Sequence, residues 1–449
     1  MKNQNTSRRT FLKTSAAVTP YFFTGTNIVA DDAKADEKND RPLVGAIGCG
    51  GQGTGIANRA KAFGDIVAVC DVDSGRAETA RQKLSGGSAD LFSDYREVLD
   101  RKDIDAVTIG TPDHWHSKIA IEAMQAGKDV YCEKPLTLTI EEGKQICATV
   151  EKTGRVFQVG TQQRSHGPFA KSIAMCRNGS VGNVKRILVA IGGGPGGGPF
   201  KKSDPPEHLD WNTWLGQTPL VAYIKERCHY QFRWWFEYSG GKMTDWGAHH
   251  VDIAHWAAGA DDTGPISFEG TAKFPVELKD GHPTADDRYN TANTFSITCK
   301  FADGIELVIS DKIQEDGSEY KDGKTDFGNG VQIEGDKSWL FVNRGKLEGA
   351  AVDALKESPL PEDAITNAYK GKKHGNHMGN FFECIKTREQ PISDVFSHHR
   401  AITTCHLANI AIRLDRPLKW DPETEQIIGD QEANQWQSRE QRKGFEITV

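Results

Sequence analysis

RPLVGAIGCGGQGTGIANRAKAF, residues 41–63, is the stretch that decides the fold. Its apolar run 43–47 is typical of a short strand buried in a parallel sheet. Gly48, Gly50 and Gly53 follow in a G-x-G-x-x-G pattern, and the residues after them predict a helix. Glycines in this pattern allow a tight turn, let the backbone approach a pyrophosphate, and let the helix pack closely on the strand. Because the helix N-terminus offers N–H donors to phosphates, the stretch predicts a dinucleotide site.

The next segment strengthens that prediction. DIVAVCDVD, residues 65–73, predicts a second strand and carries Asp71 at its end, about 20 residues after Gly50. An acidic residue at this spacing binds the adenosine ribose, and its charge repels the extra phosphate of NADP. We therefore expect NAD, with NADP disfavoured, although Arg76 lies close enough in sequence to weaken the preference.

Strand-like and helix-like segments alternate from residue 42 to about residue 163. This alternation predicts an α/β domain built on a doubly wound parallel sheet, the Rossmann arrangement. Loops at the carboxyl ends of such strands face the cofactor. Two of these loops stand out by their chemistry, TPDHWH at 111–116 and EKP at 133–135.

The alternation of strand-like and helix-like segments ends near residue 164. Segments such as VKRILVAIGG, NTFSITCKF and IELVIS are rich in β-branched residues and are separated by turns rather than helices. They predict a second α/β domain, 164–449, with a large, open, mostly antiparallel sheet. The glycine-rich run 192–200 predicts a mobile or tightly turned segment.

The densest cluster of aspartate and histidine residues lies in GGKMTDWGAHHVDIAHW, residues 240–256. If Asp245 onwards is helical, Asp245, His249 and Asp252 share one face. A carboxylate one turn before a histidine can orient the ring for proton transfer, so an acid/base role is favoured. Metal binding and a purely structural helix are the alternatives, but no convincing third and fourth ligand is found, and no metal site is predicted.

Composition bounds the remaining possibilities. The 449 residues are too many for one ordinary core, and 37% hydrophobic with 26% charged residues is typical of a soluble globular protein. A net charge of -7 offers no basic surplus for nucleic acid, so no such partner is expected. Nine cysteines without a CxxC pair indicate reduced, buried thiols rather than zinc or disulfide frameworks.

The N-terminus predicts export. SRRTFLK, residues 7–13, has the paired arginines of a twin-arginine signal, and we expect a signal peptide at 1–30 and a linker at 31–41. The apolar stretch after the arginines is too short and too polar to span a membrane, so no stable membrane anchor is expected. The twin-arginine export machinery is the predicted partner, and the periplasm or another exported location is the predicted site.

Together these motifs resemble the Gfo/Idh/MocA oxidoreductases, the family of glucose–fructose oxidoreductase and inositol dehydrogenase. The matching segments are AIGCGGQG, TPDHWH, AGKDVYCEKP and DWGAH, and the resemblance extends from about residue 42 to the end. It implies that Lys134, Asp245 and His249 surround the nicotinamide ring as the catalytic residues. In that reading His249 takes the hydroxyl proton, Lys134 polarises the oxygen, and Asp245 orients His249.

The predicted binding residues form two groups. Those expected to bind the cofactor are Gly48, Gly50, Gly51, Gln52, Gly53, Asp71, Thr111, Pro112, His116, Glu133 and Lys134. Those expected to bind the substrate are Arg164, Trp234, Trp235 and His250, although core packing is the alternative for the two tryptophans. The resemblance also implies a homo-oligomer formed through one side of the second sheet.

Export constrains the predicted chemistry, because no pool of free NAD exists outside the cytoplasm. We therefore expect a tightly held cofactor that is reset in every cycle. The leading hypothesis is an NAD(H)-dependent oxidoreductase acting on a sugar, cyclitol or glycoside hydroxyl. The alternative is an NAD-dependent glycoside hydrolase or lyase that works through a transient keto intermediate. A sugar-sensing protein with a vestigial Rossmann domain is a third hypothesis, from a non-enzymatic class.

Overall fold

The computed structural model describes residues 41–314, 323, 326–372 and 374–449. The predicted signal peptide, and the linker except for Arg41, lie outside the described residues. Within the described ranges, no helix combines the length and the apolar character needed to cross a membrane.

The first sheet has six parallel strands in the order β3-β2-β1-β4-β5-β6. The strands are β1 (Leu43–Ile47), β2 (Asp65–Cys70), β3 (Asp90–Phe92), β4 (Ala106–Ile109), β5 (Asp129–Cys132) and β6 (Phe157–Val159). The helices between them are α1 (Gly51–Ala60), α2 (Ser74–Ser85), α3 (Tyr95–Asp100), α4 (Asp113–Gln125) and α5 (Ile140–Thr153). The predicted Rossmann arrangement is confirmed.

Both faces of this sheet are covered because its strands are apolar on both sides. Side chains of α3, α4 and α5 form the core on one face. The core on the other face joins α1 and α2 to a helix from far along the chain, His377–Thr387, through Phe381 and Phe382. The second half of the sequence thus completes the core of the first sheet.

The second sheet has nine strands in the order β15-β14-β13-β7-β12-β11-β8-β16-β17. They are β7 (Val184–Ala190), β8 (Ser267–Lys273), β11 (Thr294–Lys300), β12 (Glu306–Ser310), β13 (Gly330–Gly335), β14 (Trp339–Val342), β15 (Leu347–Glu348), β16 (Leu418–Asp421) and β17 (Gln426–Ile427); β9 (Leu278–Lys279) and β10 (His282–Pro283) form a separate hairpin. Only the β7–β12 pair is parallel among these described strands, so the sheet is mostly antiparallel, as predicted.

Helices cover one face of the second sheet and leave part of the other open. The further helices are α6 (Gly167–Arg177), α7 (Trp211–Leu215), α8 (Lys242–Asp245), α9 (Gly247–Ala258), α10 (Ala350–Asp353), α11 (Ala364–Ala368), α12 (His377–Thr387), α13 (Val395–Leu414) and α14 (Gln431–Gln435). Side chains of α6, α9 and α13 pack on alternate residues of the strands. In β8 and β11 the remaining residues are exposed or partly exposed.

A long connection between β7 and α8, residues 191–241, carries a separate aromatic cluster. The cluster contains Trp211, Trp214, Phe232, Trp234 and Trp235. The glycine-rich run 192–200 at its start forms neither helix nor strand. Downstream, residues 208–210 bind the backbone at the end of β2 through Ser74 N donating to His208 O (2.9 Å) and Asp210 N donating to Val72 O (3.0 Å). We call residues 200–239 the cover segment.

Candidate active site

A cleft of about 740 Å³ lies at the carboxyl ends of β1, β2, β4 and β5. The first sheet and its loops contribute Gly48, Gly50, Gly51, Gln52, Asp71, Thr111, Pro112, Glu133 and Lys134 to its wall. The opposite wall contains Trp214, His229, Tyr230 and Arg233 of the cover segment, then Asp245, Trp246, His249 and Arg344. Both halves of the sequence therefore build one cleft.

The glycine turn fits the pyrophosphate of a dinucleotide. Gly48 has φ +77, and a side chain there would meet the Thr111 backbone. Around Gly51 nothing lies within 4 Å of a hypothetical Cβ, so the backbone at the start of α1 is open to a ligand. The N-cap residue Gly50 gives no side-chain cap, which leaves the N–H donors of the first turn for phosphate oxygens. The third glycine differs: Gly53 is outside the cleft wall, and a Cβ there would lie 1.7 Å from Gly48 O, so its role is helix–strand packing.

Asp71 lies where a ribose-binding carboxylate is expected. Its Oδ2 accepts a hydrogen bond from Cys49 N (2.7 Å) and its Oδ1 accepts one from Asp73 N (2.9 Å). Burial raises the pKa of Asp71, and these two backbone donors oppose the rise. Arg76 lines the same end of the cleft, and its guanidinium lies near Gly50.

The loops after β4 and β5 are joined by hydrogen bonds. Thr111 and Pro112 line the cleft, but His116 does not. The His116 ring is buried between the carbonyl oxygens of Pro135 (2.8 Å) and Thr111 (2.9 Å). The prediction that His116 contacts the cofactor is therefore corrected: its imidazole fixes the two loops relative to each other.

Glu133 links the glycine turn to the β5 loop. Its Oε1 accepts hydrogen bonds from Gln52 Nε2 (2.8 Å) and from Gln162 Nε2 (3.1 Å). Gln52 and Glu133, which belong to separate sequence motifs, are thus joined by a direct hydrogen bond. Gln162 lines the cleft as well and was missed in the sequence, where it belongs to no motif.

Lys134 joins the two walls of the cleft. Its Nζ lies 2.6 Å from Oδ1 of Asp245 and also donates to the Asp245 carbonyl oxygen at 2.9 Å. Burial alone would raise the pKa of Asp245, but Lys134 and then Arg233 outweigh it and lower that pKa to about 2. Asp245 is therefore a fixed carboxylate that holds the lysine ammonium.

The predicted pairing of Asp245 with His249 is wrong. The helix is interrupted between α8, which ends at Asp245, and α9, which begins at Gly247. Trp246 between them keeps helical backbone angles, and the Asp245 carboxylate contacts Lys134 rather than His249. Asp252, the other acid of the predicted face, pairs with Arg164.

His249 lines the cleft with a buried, uncharged ring. Burial first, and then the positive charges of Lys134 and Arg344, lower its pKa well below the usual value. Within the described part of the chain, its Nδ1 has no hydrogen-bond partner. Because the ring lines the cleft and is neutral, it is a candidate proton acceptor.

Four predicted substrate contacts lie outside the cleft wall. Arg164 is buried in ion pairs with Asp252 (2.8 Å) and Asp261 (3.2 Å). The Trp234 and Trp235 rings belong to the aromatic core of the cover segment. His250 is buried and contacts Gln163 and Asn329 (both 3.2 Å). These predictions are corrected because all four side chains are occupied by packing contacts, ion pairs or hydrogen bonds within the protein.

Three charged residues of the cleft were not predicted from the sequence: Asp113, Arg233 and Arg344. Asp113 lies inside the TPDHWH motif, accepts a hydrogen bond from Ser239 Oγ (2.5 Å), and has a pKa raised to about 7 by burial. Arg233 lies between Phe232 and Trp234 in the aromatic stretch of the cover segment. Arg344 lies in a hairpin whose sequence contains no recognisable motif. Only Asp113 carried a signal that motif analysis could have used.

Comparison with known proteins agrees with this geometry. Residues 43–161 match the oxidoreductase family, NAD-binding Rossmann fold, and residues 196–447 match the oxidoreductase family, C-terminal alpha/beta domain. The chain belongs to the Gfo/Idh/MocA oxidoreductase family. Its first domain is accordingly the NAD-binding Rossmann domain of that family, and the predicted resemblance is confirmed.

Individual relatives match over shorter stretches. The inositol 2-dehydrogenase of Salmonella typhimurium is 30% identical over 218 residues, which is 48% of this chain and 54% of that protein. A glycosyl hydrolase family 109 protein of Shewanella sp. is 35% identical over 173 residues, 33% of this chain and 38% of that protein. The chain thus spans about half the length, or less, of these relatives.

Solved structures of the family share the fold. The WlbA dehydrogenase from Bordetella pertussis, in complex with NADH and UDP-GlcNAcA, aligns with a TM-score of 0.58 at 17% identity. The alignment covers 85% of this chain and 99% of that one. At this identity the likeness establishes the two-domain architecture and nothing finer.

Proposed function

We propose that the protein is an NAD(H)-dependent oxidoreductase that transfers a hydride between a sugar, cyclitol or glycoside hydroxyl and a nicotinamide that stays bound. The observation that carries the proposal is the meeting of Lys134, from the first domain, with Asp245 and His249, from the second, in one cleft. This cleft continues to the glycine turn and Asp71, which fit the pyrophosphate and ribose of a dinucleotide.

Lys134 and His249 have different roles at the substrate hydroxyl. NAD, when bound, supplies the hydride acceptor. The Lys134 ammonium, held by Asp245, donates a hydrogen bond to the substrate oxygen and stabilises the negative charge that develops there. His249 is neutral and accepts the hydroxyl proton. NAD is favoured over NADP because the Asp71 carboxylate opposes a ribose phosphate.

The cover segment supports retention of the cofactor. Its backbone hydrogen bonds tie residues 208–210 to Val72 and Ser74, immediately after Asp71. Its side chains Trp214 and His229 line the same cleft. We propose that this segment slows cofactor release, as an enzyme exported through the twin-arginine pathway to the periplasm requires. From the family resemblance we also propose a homo-oligomer formed through the open face of the second sheet.

The first experiment measures the bound cofactor and then its reduction. The full-length protein is purified, denatured, and its released nucleotide identified by mass spectrometry, with NAD(H) as the expected result. The intact protein is then mixed with a panel of sugars and cyclitols while absorbance at 340 nm is followed. Lys134→Met should abolish the signal, and Lys144→Met, on the outer helix α5, should preserve it. A protein that carries NAD yet gives no signal with any polyol would contradict the proposal.

An NAD-dependent glycoside hydrolase or lyase is the second candidate. It is favoured by the similarity to the Shewanella glycosyl hydrolase family 109 protein. Such chemistry is redox-neutral over a cycle, so it also agrees with a retained cofactor. Aryl glycosides incubated without added NAD distinguish the two: aglycone release with hydrogen–deuterium exchange at the oxidised carbon indicates the glycosidase, and cofactor reduction without release indicates the oxidoreductase.

A further inference from the structure

Arg344 occupies the tip of a tightly held hairpin between β14 and β15. Asn343 Oδ1 accepts hydrogen bonds from Gly345 N and Lys346 N (both 2.9 Å), and Asn343 N donates to Lys346 O (2.9 Å). The turn therefore has a defined backbone, and the position of the Arg344 side chain is set by the fold.

The Arg344 guanidinium projects over the catalytic end of the cleft. Its Cζ lies 4.7 Å from the centre of the Trp246 ring, next to His249 on the same wall. With the Gln163 amide in its better orientation, the amide oxygen accepts a hydrogen bond from Arg344 Nε (3.2 Å). The terminal amino groups, which form the bidentate fork of an arginine, stay available.

No carboxylate neutralises Arg344 in the described part of the chain. The nearest candidates are already engaged: Asp245 by Lys134 (2.6 Å) and Arg233 (3.4 Å), and Glu133 by two glutamine amides. Lys242 adds a second cation 5.8 Å from the Trp246 ring, again without an ion-pair partner among the described residues. Partial burial lowers the pKa of Arg344, and the charges of Asp245 and Glu133, which have closer partners of their own, only partly oppose this.

We propose that the substrate supplies this counter-charge, as the carboxylate of an acidic sugar such as a uronic acid, and that Arg344 binds it. The planar fork of a guanidinium matches the two oxygens of a carboxylate. The pyrophosphate of the cofactor is not the anion concerned, because the glycine turn that fits it lies at the start of α1, whereas Arg344 lies beside His249. This inference rests on the proposed function and specifies the substrate class for the same site.

The test compares sugars matched in the ring and different only in the acid group. Methyl β-D-glucuronide is paired with methyl β-D-glucoside, and D-galacturonate with D-galactose. Binding to the full-length, NAD-loaded protein is measured by calorimetry, and cofactor reduction is measured at 340 nm. We expect the acidic member to bind about 10- to 100-fold more tightly, as charge-assisted bidentate pairs do in a partly desolvated site.

Arg344→Gln should bring the acid-to-neutral ratio of dissociation constants close to one, and Arg344→Lys should restore part of it. Lys346→Gln removes one positive charge from the same turn at an exposed position, and should leave the ratio unchanged. If the acids bind and react no better than their neutral partners, the inference is wrong while the proposed function stands. If no sugar in either class binds or reduces the cofactor, both are wrong. A sulfated partner, methyl glucoside 6-sulfate, that outcompetes the uronide would overturn the carboxylate assignment.

Discussion

The Lys134–Asp245 pair should carry a measurable coupling energy, because it joins the two walls of the cleft and is largely shielded from solvent. The side chains are 13% and 11% exposed, and Nζ and Oδ1 are 2.6 Å apart. The pKa of Asp245 falls from 3.8 to about 2. That fall corresponds to about 2 kcal/mol in favour of the folded, ionised state. Since the folded pKa is depressed, this contribution is present above pH 4 and lost as the pH falls towards 2.

The assay is a double-mutant cycle in urea unfolding at pH 7. Asp245→Asn alone should cost about 3 kcal/mol, because it leaves the Lys134 ammonium buried without its counter-charge. Lys134→Met leaves Asp245 with Arg233 as its ion-pair partner among the described residues. The double variant should lose less than the sum of the two single losses, with a coupling of about 2 kcal/mol.

An exposed pair provides the matched control. Lys356 and Asp353 are 3.3 Å apart on α10 and its following turn, with side chains 81% and 76% exposed. Their coupling should be below about 0.5 kcal/mol and should vanish in high salt. A coupling between Lys134 and Asp245 no larger than this control would refute the claim that the pair is a buried, fixed element of the cleft.

Three further outcomes follow from the site. Asp113 has a pKa raised to about 7, so the stability that its protonation contributes is complete below about pH 4 and lost as the pH rises through 7; Asp113→Asn should therefore gain in unfolding free energy over wild type between pH 5 and pH 8.5, by about 3 kcal/mol. An unchanged difference across that range would show that Asp113 is ionised. Gly53→Ala should lower the melting temperature sharply because its Cβ would lie 1.7 Å from Gly48 O, whereas Gly51→Ala should keep the melting temperature and weaken NAD binding. Equal melting temperatures for the two would contradict the packing role of Gly53. Asp71→Ser should raise the ratio of NADP to NAD affinity, measured by fluorescence titration, since Arg76 remains beside the ribose site.

The parts of the site that could be predicted from the sequence are those whose chemistry is local. The glycine turn, Asp71 and Glu133–Lys134 lie at the carboxyl ends of parallel strands of one sheet, and these strand ends meet at the same edge by topology alone. Periodicity also predicted both sheets, because one is buried on two faces and the other alternates.

The errors involve partners that are distant in sequence. Arg164 finds Asp252 88 residues away, and nothing near either residue indicates that pairing. The Trp234 and Trp235 rings are as suitable for a sugar wall as for a core, and only the folded cover segment decides between the two. Arg344 was missed because a charged residue at a hairpin tip is ordinarily solvated, and its proximity to Trp246 arises from tertiary structure.

The correction to Asp245 makes the proposed division of labour more consistent than the one predicted from the sequence. A carboxylate in contact with His249 would favour the imidazolium form, which has no proton-accepting nitrogen at neutral pH. Placed against Lys134 instead, Asp245 fixes the position of the lysine, and burial together with the positive charges of Lys134 and Arg344 keeps the imidazole neutral. In the proposed mechanism, the same ammonium that stabilises negative charge on the substrate oxygen therefore also keeps the neighbouring imidazole uncharged. Because Asp245 contacts Lys134 and not His249, the two side chains have separate roles in the cleft.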